Sequence, residues 1–462
     1  MPTINITSFA GIMPMVHPTL LPDGCAVKAH NCRLHSGKLS PVRQPAKATN
    51  KKIRLENGLS QIADAQSLHL WKRNGVSEFL AWPGIVNVAK GNIANDALTR
   101  LFVSGQTGIG GAGKNHPCAY IASASGLSFN RHSLVKTVLS APVATRPVGG
   151  GVGDNIELDS NNIRYTYFIQ TWVDEYGYES GGSLPSTEME YNDGDIIEID
   201  AISSPSGNAR LRRIYKVVTG TETEYIQFIQ EQAVTGNGFI KLVFAVKDED
   251  AGETLPLIVS APDDLTWMGY MPGSFYVGVS ASNKRTVMFS DVDRPTSWPD
   301  AYRYDIRDDF VGHAITGNTV FILTTGYPWV ISGTAPESMT TSIMAGAQAC
   351  VSPRSICVME GVAFYASQDG ICMLSESNPL AVTVITKAYF SKREWEELNP
   401  SSCIMACYDG ALHCWFALSN GVRQGYIIDI SKGVSAITTH DEQAKASYYD
   451  ADSDSLYYVR EV

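Results

Sequence analysis

Short apolar runs recur at a nearly constant distance along the second half of the chain, and each run opens with a glycine. The runs are residues 273–279, 317–323, 361–367 and 410–416, and their opening glycines are separated by 44, 44 and 49 residues. In three of these units a second apolar run follows and ends in Ser290, Ser332 or Ser375. A period in the forties with several short strands per repeat is typical of propeller blades, because each small sheet buries its faces only by stacking on its neighbours. The pattern therefore predicts an all-β fold with a β-propeller.

The repeat does not run through the whole chain, and its interruptions predict the domain boundaries. Residues 1–55 are expected to form an N-terminal arm of short turns, and residues 56–147 the first part of the propeller, with two blades. A glycine-dense linker lies between residues 146 and 155, and such composition marks a break between folded segments. The repeat then returns, and residues 259–462 are expected to form the second part of the propeller.

Residues 148–258 follow a different pattern. Strand-like runs at 165–172, 195–200, 211–217 and 225–229 start 14 to 30 residues apart and are separated by glycine-containing turns. About a hundred residues of this kind are typical of a small sandwich of the immunoglobulin or fibronectin type III class. We expect an inserted β-sandwich whose two ends lie close together, as tolerated domain insertions require.

The strand-like run at residues 456–459 comes near the end of the sequence. A circular array of sheets has to cover its final edge, most simply by pairing it with a strand from earlier in the chain. We therefore expect this run to close the propeller by such pairing.

The composition agrees with a large all-β protein and limits the kinds of partner that the protein is expected to bind. The 462 residues include 40 glycines and 22 prolines, and no stretch reaches the roughly 18 consecutive apolar residues of a membrane span. No basic residue precedes Lys28, so the charged start of a secretory signal is missing and synthesis in a cytosol is expected. The net charge of −11 argues against tight binding to nucleic acid, which needs clustered Lys and Arg. Basic groups at residues 51–54 and 210–213 are interpreted as strand faces beside water or acidic neighbours.

The nine cysteines form no Cys-x-x-Cys pair, and most lie in apolar runs, as buried free thiols do in a reducing compartment. One alternative is a metal site formed by Cys403, Cys407 and His413. In a strand, a separation of four residues is roughly 13 Å, which is too far for two thiols to hold one zinc ion. No metal ligand is therefore predicted.

Three further patterns invite a functional interpretation that their details do not support. Residues 108–114 fit Gly-x4-Gly-Lys, but Asn115 replaces the required Ser or Thr, and a strand-like run rather than a helix follows. Asp450, Asp452 and Asp454 alternate as in a calcium loop, with Glu461 at position twelve, yet Ser455 stands where that loop needs glycine. We interpret the first pattern as a hairpin loop and the second as an acidic hairpin turn.

The segment 367–370 is the third of these patterns. It is similar to the turn motif of sialidase propellers, but Ile371 stands in the position where that motif has glycine. A turn at Gly370 explains it. No catalytic residue and no cofactor are predicted.

Four segments carry a resemblance to a known family: residues 31–43, residues 213–225, residues 289–299 with Arg294 and Trp298, and residues 348–355 with Arg354. They resemble the virion structural proteins of tailed bacteriophages, and more narrowly the propeller-bearing tail nozzle proteins of short-tailed phages. The resemblance implies a structural protein of the virion tail, assembled in the host cytoplasm as a homo-oligomeric ring of six copies. It also implies a place below the portal and its adaptor, with DNA ejected through the ring without specific binding.

The alternative function is a carbohydrate-binding or glycan-hydrolysing β-propeller. The 21 tyrosines and 8 tryptophans could line a sugar groove, although aromatic residues in strands more often pack in the core. Hydrolysis would need two carboxylates at a set separation. A monomer that binds glycans would favour this alternative, and a ring would favour the tail.

Overall fold

The computed structural model describes most of the chain. The described residues are 8–35, 38–49, 51–73, 75–93, 96, 99–105, 118–122, 129–133, 140–148, 155–174, 176–203, 209–219, 224–236, 238–419, 421–431 and 433–460. Within them the fold is all β. One α-helix is present, α1 (Lys392–Glu397), and the 3-10 helices are Pro18–Leu20, Ile62–Asp64, Asp248–Asp250, Asp300–Tyr302, Pro336–Ser338, Pro353–Ser355 and Pro400–Ser402. No helix in these ranges is long and apolar enough to cross a membrane.

The strands are numbered in chain order. The first group is β1 (Gly11–Ile12), β2 (Cys25–Ala26), β3 (Cys32–His35), β4 (Lys38–Pro41), β5 (Lys52–Leu55), β6 (Ser67–Arg73), β7 (Val76–Trp82), β8 (Asn87–Lys90), β9 (Leu101–Ser104), β10 (Cys118–Ala122) and β11 (Phe129–Ser133). The second group is β12 (Ala144–Thr145), β13 (Arg164–Thr166), β14 (Phe168–Asp174), β15 (Met189–Tyr191), β16 (Ile196–Ile199), β17 (Ala209–Thr219), β18 (Glu224–Ala233) and β19 (Leu242–Ala245).

The third group follows in the remainder of the chain. It is β20 (Leu265–Met271), β21 (Phe275–Ser280), β22 (Thr286–Phe289), β23 (Arg303–Asp305), β24 (Phe310–Thr316), β25 (Thr319–Thr324), β26 (Trp329–Ser332), β27 (Thr340–Ile343), β28 (Cys357–Met359), β29 (Val362–Ala366), β30 (Ile371–Ser375), β31 (Asn378–Val384), β32 (Ile404–Tyr408), β33 (Ala411–Ala417), β34 (Arg423–Asp429), β35 (Ala436–His440), β36 (Ala444–Asp450) and β37 (Ser455–Arg460).

The chain divides into two compact units. The first unit is Met1–Asn130, Asp264–Val287 and Tyr304–Val462, and the second is Arg131–Asp263 and Met288–Arg303. The first unit carries most of the propeller strands, and the second carries the strands predicted within residues 148–258 together with the ends of β11, β22 and β23. The boundaries predicted at 55, 147 and 258, and the immunoglobulin class of the insertion, stay predictions.

The propeller consists of successive small sheets, which we number as blades. Among the described residues, blade 1 is β6, β7 and β5; blades 2 to 5 are β8–β11, β20–β23, β24–β27 and β28–β31; blade 6 is β32–β35; and blade 7 is β36 and β37. Each of blades 2 to 6 has four strands in chain order, which is the meander typical of propellers. The predicted all-β propeller fold is therefore confirmed.

The recurring glycines close the first hairpin of four successive blades. Gly273, Gly317, Gly361 and Gly410 lie between the first and second strands of blades 3 to 6, and each has a positive φ, from 47° to 102°. Residues other than glycine adopt this conformation at a cost, so the turn retains glycine. The apolar run after each glycine is the second strand of the blade. In β21 and β25 every residue is buried, because a second strand lies between neighbouring blades on both of its faces.

Two strands of the N-terminal segment pair with strands of the propeller blades. β1 pairs in parallel with β35 at Gly11 and Ile437, and so adds to the outer edge of blade 6. β5 pairs in parallel with β7 in blade 1. A Cβ on Gly11 would lie 2.1 Å from the Ile437 carbonyl oxygen, so glycine is required at this close approach.

Closure of the ring differs from the prediction for residues 456–459. In the described part of the chain β37 pairs only with β36, so the expected pairing with an earlier strand is wrong. Blade 7 instead packs its face against blade 1. Ala446 and Val459 share a core cluster with Leu59 and Ala81. Burial of these apolar faces, together with the ion pair between Lys72 and Asp450, joins the two blades without strand pairing among the described residues.

The second unit contains two three-stranded sheets, β12-β16-β19 and β14-β17-β18, and the pair β13-β15. A serine-rich segment covers one edge of β14. The hydroxyls of Ser180, Ser183 and Ser186 accept hydrogen bonds from alternate β14 amides, at 3.0, 3.1 and 2.9 Å. The backbone amides of the same serines donate to β14 carbonyls. The segment thereby satisfies an edge that would otherwise be open for pairing with another chain.

Candidate functional site

The innermost strands of the seven blades surround a central cavity of about 290 Å³, which we call the channel cavity. Every blade contributes to its lining, through residues such as Ser67, Asn87, Trp267, His313, Ile356, Met405 and Ser447. Here side chains far apart in sequence converge in a concave, partly apolar space, which is the usual setting of a ligand site. The channel cavity is therefore the candidate functional site.

Trp267 has the most unusual backbone in this cavity. The β20–β21 register shifts between Thr266 and Gly269, and Trp267 has a φ of 55°. The left-handed region costs a bulky residue about 1 kcal/mol or more, and such strain tends to occur at functional sites. The bulge points the indole at blade 4, where it makes edge-to-face contacts with Phe310 and His313 at a centroid separation of 5.7 Å each.

Two glycines provide the space for this aromatic cluster. A Cβ on Gly312 would lie 2.3 Å from Ile356 Cδ1 and 2.9 Å from the Trp267 ring. A Cβ on Gly269 would lie 2.7 Å from the imidazole of His313. Since real Cβ contacts are longer than this, both positions have to lack a side chain for the cluster to form.

His313 is held neutral in the cavity. Its Nε2 lies 2.7 Å from the Trp267 carbonyl oxygen, and since a carbonyl only accepts, Nε2 donates. Burial lowers the pKa of His313, despite this hydrogen bond, which acts in the opposite direction. His69 in β6 lines an adjoining cavity, and burial lowers its pKa to about 4. The histidines at the centre therefore bring no positive charge at neutral pH.

Arg354 is the charged side chain in the lining of the channel cavity. Its Nη2 atom is buried and has no hydrogen-bond partner among the described residues. Burial, and to a smaller extent the positive charge of Arg423, lowers the pKa of this guanidinium to about 10. A cation in such surroundings is poorly compensated.

The 3-10 helix Pro353–Ser355 holds Arg354 in place. Ser355 Oγ donates to the Ser352 carbonyl at 2.7 Å and accepts from the Ala366 amide at 2.9 Å. Ser352 Oγ donates to the Cys403 carbonyl of the next blade, also at 2.7 Å. These bonds tie the short helix to blades 5 and 6, so the backbone that carries the guanidinium is fixed.

No family model matches this sequence, and no curated protein matches it either. Solved structures are similar only in part. The WD40 domain of Toxoplasma gondii coronin has a TM-score of 0.29 at 8% identity, with 64% of this chain and 70% of that chain covered. BBS1N in complex with ARL6DN has a TM-score of 0.29 at 9% identity, with 54% of this chain and 84% of that chain covered. At these scores the likeness adds nothing about function, and the fold assignment rests on the order of the sheets.

The structure separates His413 from the two cysteines of the alternative metal site, Cys403 and Cys407, which lie in one core cluster. Cys407 lies in β32 with its Sγ 2.8 Å from Cys357 Sγ, within the core between blades 5 and 6. His413 lies on the other face of blade 6, where its ring contacts Tyr408 and Trp415. Opposite faces of one sheet do not share an ion, because alternate side chains of a strand point to opposite sides.

The other sequence patterns have structural roles where they are described. The hairpin between β36 and β37 confirms the acidic turn, and Lys72 pairs with Asp450 and Asp452. The turn at Gly370, with a φ of 145°, is confirmed between β29 and β30. The Gly-x4-Gly-Lys pattern at 108–114, most of the glycine linker and Glu461 lie outside the described residues.

The basic groups also pair within the protein. Arg54 of β5 lies 3.3 Å from the Glu78 carboxylate. Arg213 of β17 contacts the carboxylates of Glu179, Glu231 and Glu253 at 2.9 to 3.1 Å. The interpretation as strand faces with acidic neighbours is confirmed for these two arginines.

Sequence reasoning did not find Trp267, His313 or Arg354 as a site. A signal was nevertheless present, because Trp267 and His313 precede the repeat glycines Gly273 and Gly317 by six and four residues. Aligning the repeats on their glycines places both residues in innermost strands of neighbouring blades. Their convergence with Arg354 on one cavity depends on how blades 3, 4 and 5 pack, which the repeat alone does not specify.

Proposed function

We propose that this protein is a structural component of a bacteriophage tail, one copy of a ring that forms part of the DNA ejection channel below the portal and adaptor. The resemblance of four segments to tail nozzle proteins supports the ring and its place. A tail component of this kind acts as a scaffold that bears mechanical load, and such a scaffold needs no catalytic group.

The observation that carries the proposal is the role of the residues that bear the resemblance. Trp298 is fully buried, and its Nε1 donates to the Pro295 carbonyl at 2.9 Å. Arg213 joins three carboxylates across its sheet. Ser352 ties blade 5 to Cys403 of blade 6. The residues in the resembling segments therefore make contacts that hold the fold together. This supports a scaffold in common with the family, as expected for a structural protein.

The charge of the chain agrees with a conduit for DNA. Each copy carries a net charge of −11, so a ring of copies repels phosphates and lets DNA slide. Tight binding would hold the genome back during ejection.

Native mass measurement tests the proposal, on the protein alone and mixed with its adaptor. We expect a ring of six copies, presence of the protein in purified virions, and no retention of duplex DNA at low salt. A persistent monomer that is missing from virions, or tight salt-sensitive binding to duplex DNA, would contradict the proposal. The glycan-binding alternative predicts such a monomer, retained on immobilised oligosaccharides.

A further inference from the structure

We propose that the channel cavity binds a small ligand through an oxyanion, a carboxylate or phosphate group held by Arg354, with an apolar part beside Trp267. This inference goes beyond the role in a tail and does not depend on it.

The guanidinium of Arg354 lacks a partner of opposite charge among the described residues. Arg354 Nη2 is buried and finds no acceptor in the described residues, and none of its described contacts is an ion pair. The charge that acts on it most is another cation, Arg423, and it lowers the pKa of Arg354 further. Removing a guanidinium from water without a partner is unfavourable, whereas a charge-assisted bond to an oxyanion would recover much of that cost.

The backbone that carries Arg354 is preorganised. The bonds of Ser352 and Ser355 fix the 3-10 helix Pro353–Ser355 against blades 5 and 6. An arginine on a backbone held in this way loses less entropy when it binds than one on a free loop. The guanidinium is therefore placed at the cavity before any ligand arrives.

The rest of the cavity lining combines apolar side chains with polar ones. Trp267, Ile356 and Ile404 offer aromatic and aliphatic surface, and Asn87 offers an amide. No carboxylate lines the cavity among the described residues, so nothing there repels an anion. This combination fits a molecule with one anionic group and an apolar body.

The volume of the cavity suits a small ligand, and the adjoining cavities, of about 460 and 660 Å³, share Asn87 with it. About 290 Å³ lies at the lower end of the range for small-molecule sites, roughly 300 to 1,000 Å³. A small carboxylate or a phosphate monoester suits this volume, whereas a nucleic-acid duplex does not.

Two probes distinguish the sources of the oxyanion: inorganic phosphate, and benzoate as a carboxylate with an apolar ring. Each is titrated into the full-length protein at constant ionic strength, with chloride as the reference anion. Binding is followed by calorimetry and by the thermal midpoint. We expect saturable binding of at least one probe. Tighter binding of benzoate assigns a carboxylate ligand, and tighter binding of phosphate assigns a phosphate ligand.

The decisive comparison is Arg354→Gln against Arg393→Gln, a control on the exposed face of α1 whose partner is Glu397. Arg354→Gln should weaken binding about tenfold or more, as expected for the loss of a charged hydrogen bond, and Arg393→Gln should not change it. Without a ligand, Arg354→Gln should keep or raise the thermal midpoint, since it removes a half-buried cation whose Nη2 atom has no hydrogen-bond partner among the described residues. The proposal is overturned if neither probe binds saturably, or if Arg354→Gln binds as wild type does.

Discussion

Acidification should destabilise the propeller through His440, a buried histidine of blade 6. Its side chain is 4% exposed, and neither ring nitrogen has a hydrogen-bond partner among the described residues. Burial lowers the pKa of His440 to about 4; Asp441 opposes this shift and His30 adds to it. The neighbouring ring of His413, at a centroid distance of 6.3 Å, is also held neutral, with a pKa lowered to about 3.

The sign and size of the effect follow from linkage. The folded state keeps His440 neutral, whereas the unfolded chain binds a proton at its ordinary pKa of 6.5. Stability is therefore complete above about pH 6.5, falls as the pH drops towards 4, and loses nothing more from this group below that. With these two pKa values, His440 alone lowers the free energy of unfolding by about 2 kcal/mol at about pH 5.

Urea unfolding of wild type and His440→Leu at about pH 7.5 and about pH 5 measures this contribution. Leucine removes the titrating ring and both unpaired nitrogens, so the variant should lose about 2 kcal/mol less than wild type on acidification. His17→Leu is the matched control, because His17 is exposed, and it should lose as much as wild type. An equal loss in wild type and His440→Leu would refute the reasoning.

Three further predictions concern the propeller scaffold. Gly361→Ala should lower the free energy of unfolding by about 1 kcal/mol, because φ is 77° with open space around the new Cβ; Gly84→Ala, also in open space but without positive φ, should change it little in the same denaturant series. Trp395→Ala should cost about 3 to 5 kcal/mol by calorimetry, since the indole is 1% exposed and donates to a buried carbonyl; a loss below about 1 kcal/mol would contradict its place in the core. A double-mutant cycle of Phe79→Ala and Tyr457→Ala should give a coupling of about 0.5 to 1.5 kcal/mol, since the rings meet edge to face at 5.0 Å across blades 1 and 7; additive losses would show that the contact does not close the ring.

Local rules predicted the blades well. The turn glycines need positive φ, and the apolar runs after them need burial on both faces, so both leave a signal in the sequence. Ring closure was not predictable in the same way, because blade 7 meets blade 1 through side-chain faces, and no turn or spacing encodes that contact. The parallel pairing of β1 with β35 was also not predicted. β1 has only two residues, Gly11 and Ile12, and so short a run carries too little pattern to indicate a partner 426 positions later.

The candidate site was less predictable than the fold. The segment around Arg354 carries no motif that indicates a site, and the missing hydrogen-bond partner of its Nη2 atom among the described residues is visible only in the folded structure. The strained backbone of Trp267 lies in the bulge of β20, and the indole of Trp267 packs against Gly312. The intrinsic strand propensity of tryptophan does not predict this bulge.

The contact between blades 7 and 1 can form only late in synthesis of the chain. Leu59 and Val459 lie in one core cluster but are 400 positions apart, and ribosomes add about 5 to 20 residues per second. The apolar face of blade 1 therefore waits about 20 to 80 seconds for its partner to leave the ribosome. During that interval the nascent chain exposes a hydrophobic surface. A chaperone that covers this surface would raise the fraction of chains in which the propeller closes.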